Sequence, residues 1–168
     1  MELNLNTLII LLPFAFALHN FEEILGMEKW TKSIPIFIHK PVTTRQFGIA
    51  VILFTILGFA ITFSKELYQT EKYYYLIITG FSGMLFLNVF FPHLLAVIYL
   101  RKYAPGIITG LLINLPLTIT ILLLVKDSEI LSQKQMIFSV IAGGLIGIFL
   151  AFIFLKIGKF WDFKKVIE

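Results

Sequence analysis

A polytopic bundle of membrane-crossing helices is the fold class this sequence predicts. Of its 168 residues, 58% are hydrophobic and 14% charged, where soluble domains run near half apolar and a quarter charged. The mean hydropathy is +0.91. Many of the 18 phenylalanines lie in uncharged runs long enough, at about 20 residues, to cross a hydrocarbon core. Lipid offers the backbone no hydrogen-bond partners, so helices must carry such runs.

Five spans are legible in order, forming one transmembrane helical domain over 1–168. The first covers about 5–25. The second runs over 47–64, with Thr43 or Thr44 placed to cap it. The third runs over 73–100 and opens on Tyr73-Tyr74-Tyr75, which reads as an interfacial aromatic belt. The fourth runs over 105–125, with Pro105 suited to a first helical position. The fifth runs over 136–155. The loop 26–46 holds Ile34-Pro-Ile-Phe-Ile38, too short to span, and is expected to be interfacial or re-entrant. The first residues, Met-Glu-Leu-Asn-Leu-Asn, lack the cations that precede a signal-peptide core, so the first run reads as a retained span.

Charge sets the expected topology. With five spans, Lys29, Lys32, Lys40, Arg45, Arg101, Lys102, Lys156, Lys159, Lys164 and Lys165 share one side, and Lys65, Lys72, Lys126 and Lys134 the other. The positive-inside bias puts the richer side and the C-terminus in the cytoplasm and the N-terminus outside. The net charge of +4 is absorbed by these loops and implies no nucleic-acid partner. The absence of cysteine excludes disulfides, thiolate metal sites and cysteine nucleophiles. Gly143 and Gly147, with Ala151 one turn on, form a small-residue stripe that packs helices within the chain or makes a homodimer.

Polar residues interrupt the first span near its end. Were that helix to stop at Leu18 it would reach only about 21 Å, short of the hydrocarbon core. It is therefore expected to continue, carrying His19, Glu22 and Glu23 on one face, within an arc of about 100°. Groups of this kind at depth face a bundle interior or a wet cavity; the alternative is pairing of the carboxylates with Lys29 or Lys32 among head groups. The third span carries Asn88-Val-Phe-Phe-Pro-His93. Pro92 lacks an N–H, so the carbonyl of Asn88 loses its helical partner and a kink is expected. His19 and His93 lie about 9 and 10 Å before the ends of their spans, on the same side, so the two imidazoles share a layer. In the following turn, the free N–H groups at Pro105-Gly106, with Arg101, Lys102 and Tyr103, suit the polar end of a substrate or another anion. Asn114 lies deeper in the fourth span, as a substrate-binding group or a helix-to-helix contact.

His19-Asn-Phe-Glu-Glu23 resembles the motif that names the HXXEE family of bacterial membrane proteins. That family also shows an Asn followed closely by a His, which Asn88 and His93 resemble, and a Tyr-x-Pro-Gly element, which Tyr103-Ala-Pro-Gly106 resembles. The likeness covers roughly 8–125. It implies a polar site of catalytic type and supplies no reaction.

Two chemistries suit the residues. His19, His93 and Glu22 or Glu23 are suited to hold Zn or Fe, with the remaining Glu as a general base on metal-bound water. Without a metal, paired carboxylates and a histidine suit acid–base catalysis. Either way the expectation is a membrane-embedded enzyme, a metal-dependent hydrolase or oxidase or an acid–base isomerase, acting on a membrane lipid or similar substrate. A small-solute, cation or proton-coupled transporter and a non-catalytic membrane partner subunit are the competing readings.

Overall fold

The computed structural model describes residues 4–164. Among them it has five helices long and apolar enough to cross a membrane. They are α1 (Leu5–Lys32), α2 (Thr44–Thr62), α3 (Glu71–Leu100), α4 (Ile107–Asp127) and α5 (Gln133–Lys164). Met1–Leu3 and Lys165, used above in reading the N-terminus and the charge balance, lie outside the described residues.

α1 is two turns longer than its apolar run implies. Met27 to Lys32 continues the helix and buries Met27 against Val42, Phe47 and Val51, while Glu28 and Lys32 pair across one turn at 2.6 Å on its exposed side. The expected long loop shrinks to a turn over 33–43, in which Ile34 is buried while Ile36 and Phe37 are exposed. Thr43 caps α2 by accepting from the Gln46 N–H at 3.0 Å. Glu28 reinforces that start, accepting from the N–H and hydroxyl of Thr44. The Thr43 hydroxyl donates to Asp162, and Gln46 donates to the carbonyl of Leu155, fastening α5 to the same corner.

α1 is the most enclosed helix and α5 the least. The first half of α1, the first half of α3 and the second half of α4 share an apolar core built on Leu12, Ile78, Leu85 and Ile121. Only Tyr73 of the tyrosine triplet faces outward. Tyr74 and Tyr75 are buried in this core, and the Tyr74 hydroxyl donates to the carbonyl of Thr62 at 2.9 Å. They are packing residues, not an aromatic belt.

The small-residue stripe of α5 is occupied within the chain. A Cβ on Gly143 would fall 2.0 Å from the carbonyl oxygen of Gly80, and one on Gly147 would meet Met84 at 2.5 Å. The backbones of α3 and α5 touch there. These two glycines therefore serve the packing of α3 against α5 within the chain.

The remaining halves of α1, α3 and α4 are where the polar residues gather. α3 is irregular there. Its α-helical part ends at Asn88, a wider turn follows over Val89–Leu94 with Phe91 in extended conformation (φ −135°, ψ 114°), and helix resumes at Leu95–Leu100. The Phe91–Pro92 peptide is cis. α4 has a similar wide turn at Gly110–Asn114. Such insertions rotate the side chains that follow out of helical register.

Candidate metal centre

Three ligand-type side chains meet at this level. His19 on α1 is fully buried, His93 on α3 is 3% exposed and Glu23 on α1 is 8% exposed. The two rings stand edge to face, with centroids 4.9 Å apart. Glu23 Oε1 lies 3.2 Å from His93 Nε2 and 3.9 Å from His19 Nε2. One ligand atom from each residue lies within 4.8 Å of the others. The spacing from 19 to 23 is one helical turn, which stacks the imidazole over the carboxylate. The break in α3 brings in His93. Five residues of regular helix would set Asn88 and His93 about 140° apart, yet the Asn88 amide reaches His93 Nε2 at 3.0 Å and His19 Nε2 at 3.1 Å.

Glu22 points elsewhere. Its Oε1 accepts from the Tyr103 hydroxyl at 2.6 Å and from the N–H groups of Gly106 and Ile108, at 3.0 and 3.2 Å. Its Oε2 accepts from the N–H and hydroxyl of Thr109, at 2.7 and 2.5 Å. The backbone donors at the start of α4 do bind an anion, but it is this chain's own carboxylate. Two expectations are corrected by this. Glu22 is not in the ligand group and has no free oxygen edge with which to act as a base. Gly106 and its neighbours have no free N–H left for a substrate. Arg101 and Lys102 are exposed in the turn and have no part in the cluster. Lys32 pairs with Glu28 rather than with Glu22 or Glu23.

Tyr103 lies in the turn between α3 and α4. Burial, and then the Glu22 carboxylate to which it donates, raise its phenol above the ordinary tyrosine value.

Thr109, a residue the sequence gave little reason to single out, joins the two carboxylate networks. Its hydroxyl proton goes to Glu22, so its lone pair accepts from His19 Nδ1 at 3.1 Å. That assigns the His19 proton to Nδ1 and leaves Nε2 bare, facing Glu23 and His93. Metal-binding histidines are commonly oriented by a donor interaction of this kind from their other nitrogen.

Gly106 packs directly against the cluster. Its φ is +90°, a left-handed conformation that favours glycine. A Cβ there would fall 2.7 Å from His93 Cε1 and 2.8 Å from His19 Cε1. The turn is seated by Pro105, which packs where Gly26 of α1 has no side chain; a Cβ on Gly26 would meet the proline ring at 2.8 Å. Asn114 is buried one turn beyond Gly110, with both amide atoms unpartnered among the described residues, and is not among the cluster's ligands. Asn20, inside the HNFEE stretch, bonds to Thr55 and to the carbonyl of Val51, fixing α1 against α2.

Fold and site together define a class: a protein that is, over the described residues, all-helical with five membrane-length helices and a buried His–Glu–His group. The chain matches the family described as "Protein of unknown function with HXXEE motif" over residues 10–121, and it belongs to that family. It is 34% identical over 145 residues to "Uncharacterized protein YrkK" of Bacillus subtilis (strain 168), covering 86% of this chain and 91% of that one. No solved structure matches it.

Proposed function

We propose that the protein is a metal-dependent enzyme of the bacterial cytoplasmic membrane, acting on a lipid or similarly hydrophobic substrate. The observation that carries this reading is the convergence of His19, His93 and Glu23 within 4.8 Å. Two imidazoles and one carboxylate suit Zn²⁺, or Fe²⁺ in a facial arrangement. Such an ion would activate a bound water and polarise a carbonyl or phosphoryl oxygen. Glu22, fully engaged by the α4 start, is assigned a positioning role, and His19 Nε2 is kept available by Thr109.

A second observation supports a hydrophobic substrate. A groove of about 570 Å³ runs between α2, α3 and α5, lined by Phe54, Leu57, Phe81, Met84, Phe138 and Ile146 among others. That volume lies in the range of small-molecule sites. Two of its lining residues, Phe16 and Met84, lie within about one turn of His19 and Asn88 along their helices. In the topology proposed from the charge balance, the His–Glu–His chamber lies toward the cytoplasmic side and the groove extends toward the other.

The test is turnover of a membrane lipid extract by purified protein in nanodiscs, followed by mass spectrometry. The reading expects products with wild type that disappear with His93→Ala and Glu23→Gln. Cation flux in proteoliposomes, lost in the same variants without any lipid turnover, would replace the enzyme with a transporter.

A further inference from the structure

We infer that Asn88 is a fourth protein ligand of the ion, binding through Oδ1, and that its amide holds the two histidines in position before the ion arrives. This rests on the metal reading above and extends it to a residue type that metal-site patterns of His, Cys, Asp and Glu omit.

Asn88 Nδ2 lies 3.1 Å from His19 Nε2 and 3.0 Å from His93 Nε2. An amide nitrogen carries two hydrogens and accepts nothing. It therefore satisfies two imidazoles only if both present bare Nε2 lone pairs. The Thr109 contact independently leaves His19 in that tautomer. In that arrangement His93 Nε2 and Glu23 Oε1, 3.2 Å apart, face each other with no proton between them, so two imidazole lone pairs and a carboxylate converge where the amide hydrogens supply only part of the positive charge that a cation would supply.

The dimensions fit. Four donors about 2.05 Å from a tetrahedral ion lie roughly 3.3 Å from one another. Four of the six distances among the donor atoms of Asn88, His19, His93 and Glu23 are 3.0, 3.1, 3.2 and 3.9 Å. The amide end thus stands at a ligand's place. A half-turn of the terminal amide group exchanges Nδ2 for Oδ1 while leaving the rest of the side chain in place. Oxygen then faces the ion, as the chemistry of a carboxamide ligand requires. With four protein ligands, a five-coordinate ion retains one position for water or substrate and an octahedral ion two.

Full-length protein in nanodiscs, titrated with Co²⁺ alone, separates the ligand role from a purely structural hydrogen bond. An aspartate at 88 offers an oxygen but no amide hydrogen. The expected results are that Asn88→Ala weakens Co²⁺ binding by more than the about 10–100-fold typical of losing an outer-shell partner, and that Asn88→Asp binds at least as tightly as wild type with visible bands shifted by the exchanged oxygen donor. Asn88→Ala titrating like wild type, Asn88→Asp losing Co²⁺ as alanine does, or Asn88→Asp binding with unshifted bands would each overturn the inference and leave the three-residue site standing. Wild type taking up no Co²⁺ or Zn²⁺ would remove the metal reading itself, and the assignment of Asn88 with it.

Discussion

Glu22 and Glu23 are adjacent on α1, and their carboxylates serve different networks. Glu23 reaches His93 Nε2 at 3.2 Å inside the chamber, whereas Glu22 is held outside the ligand group by Tyr103, Gly106, Ile108 and Thr109. About 100° of rotation separates neighbouring helical side chains. That rotation lets one residue pair build both the site and the clamp that closes it.

The two carboxylates therefore fail differently when neutralised. Glu22→Gln turns an amide toward backbone and hydroxyl donors and is expected to cost about 1–3 kcal/mol, seen as a fall of several degrees in an unfolding scan. Glu23→Gln is expected to leave the melting temperature within a degree or two and to lower metal content. Both variants melting alike, with equal metal, would remove the division of roles.

Glycine is required at 106 for conformation and for space. Gly106→Ala is expected to reduce metal content strongly, because its Cβ would fall within 3 Å of both imidazole rings. Gly48, within α2, has nothing within 4 Å of its own would-be Cβ. Gly48→Ala is expected to be neutral or to stabilise by up to about 1 kcal/mol, through helix propensity. Metal analysis and thermal scans of the two purified variants check both outcomes.

Tyr103 gives the clamp a pH limit. Its raised phenol value means that the hydrogen bond to Glu22 contributes fully below the unfolded tyrosine value of about 10 and is lost as pH rises through the folded value. The stability difference between wild type and Tyr103→Phe is expected to be constant from pH 6 to about 9 and to vanish only under more alkaline conditions. A difference that disappears already near neutral pH would contradict this.

The apolar groove is expected to matter for substrate and not for metal. Ala142 lines it, and Ala142→Trp should reduce turnover of a hydrophobic substrate with metal content unchanged. Equal turnover would place the substrate elsewhere.

Much of this arrangement was legible from residue counting. Helix length alone carried α1 past Leu18, and His19 and His93 do share a layer, their rings 4.9 Å apart, although the count from Leu25 used a helix end that lies seven residues further on, at Lys32. Which glutamate joins them was not legible, because Glu22 and Glu23 share an arc and the choice depends on where the 103–109 turn lies across α1. Thr109 was hidden for a related reason: it is a lone hydroxyl in an apolar helix, given meaning only by contacts about 90 residues distant. Pro92 announced a kink, but proline chemistry does not specify the wide turn that points Asn88 and His93 at one place. The length of α1 was underestimated because a hydropathy window ends at the first charges, while the helix runs on with Met27 and Thr31 buried and Glu28 and Lys32 paired outside.

The most direct measurement of the central claim is the metal content of the purified protein by mass spectrometry, compared with His19→Ala and His93→Ala variants that retain wild-type helicity. About one Zn or Fe per chain is expected in the wild type, with loss from both variants. A wild type that holds no transition metal after incubation with Zn²⁺ or Fe²⁺, or variants that keep the full amount, would contradict it.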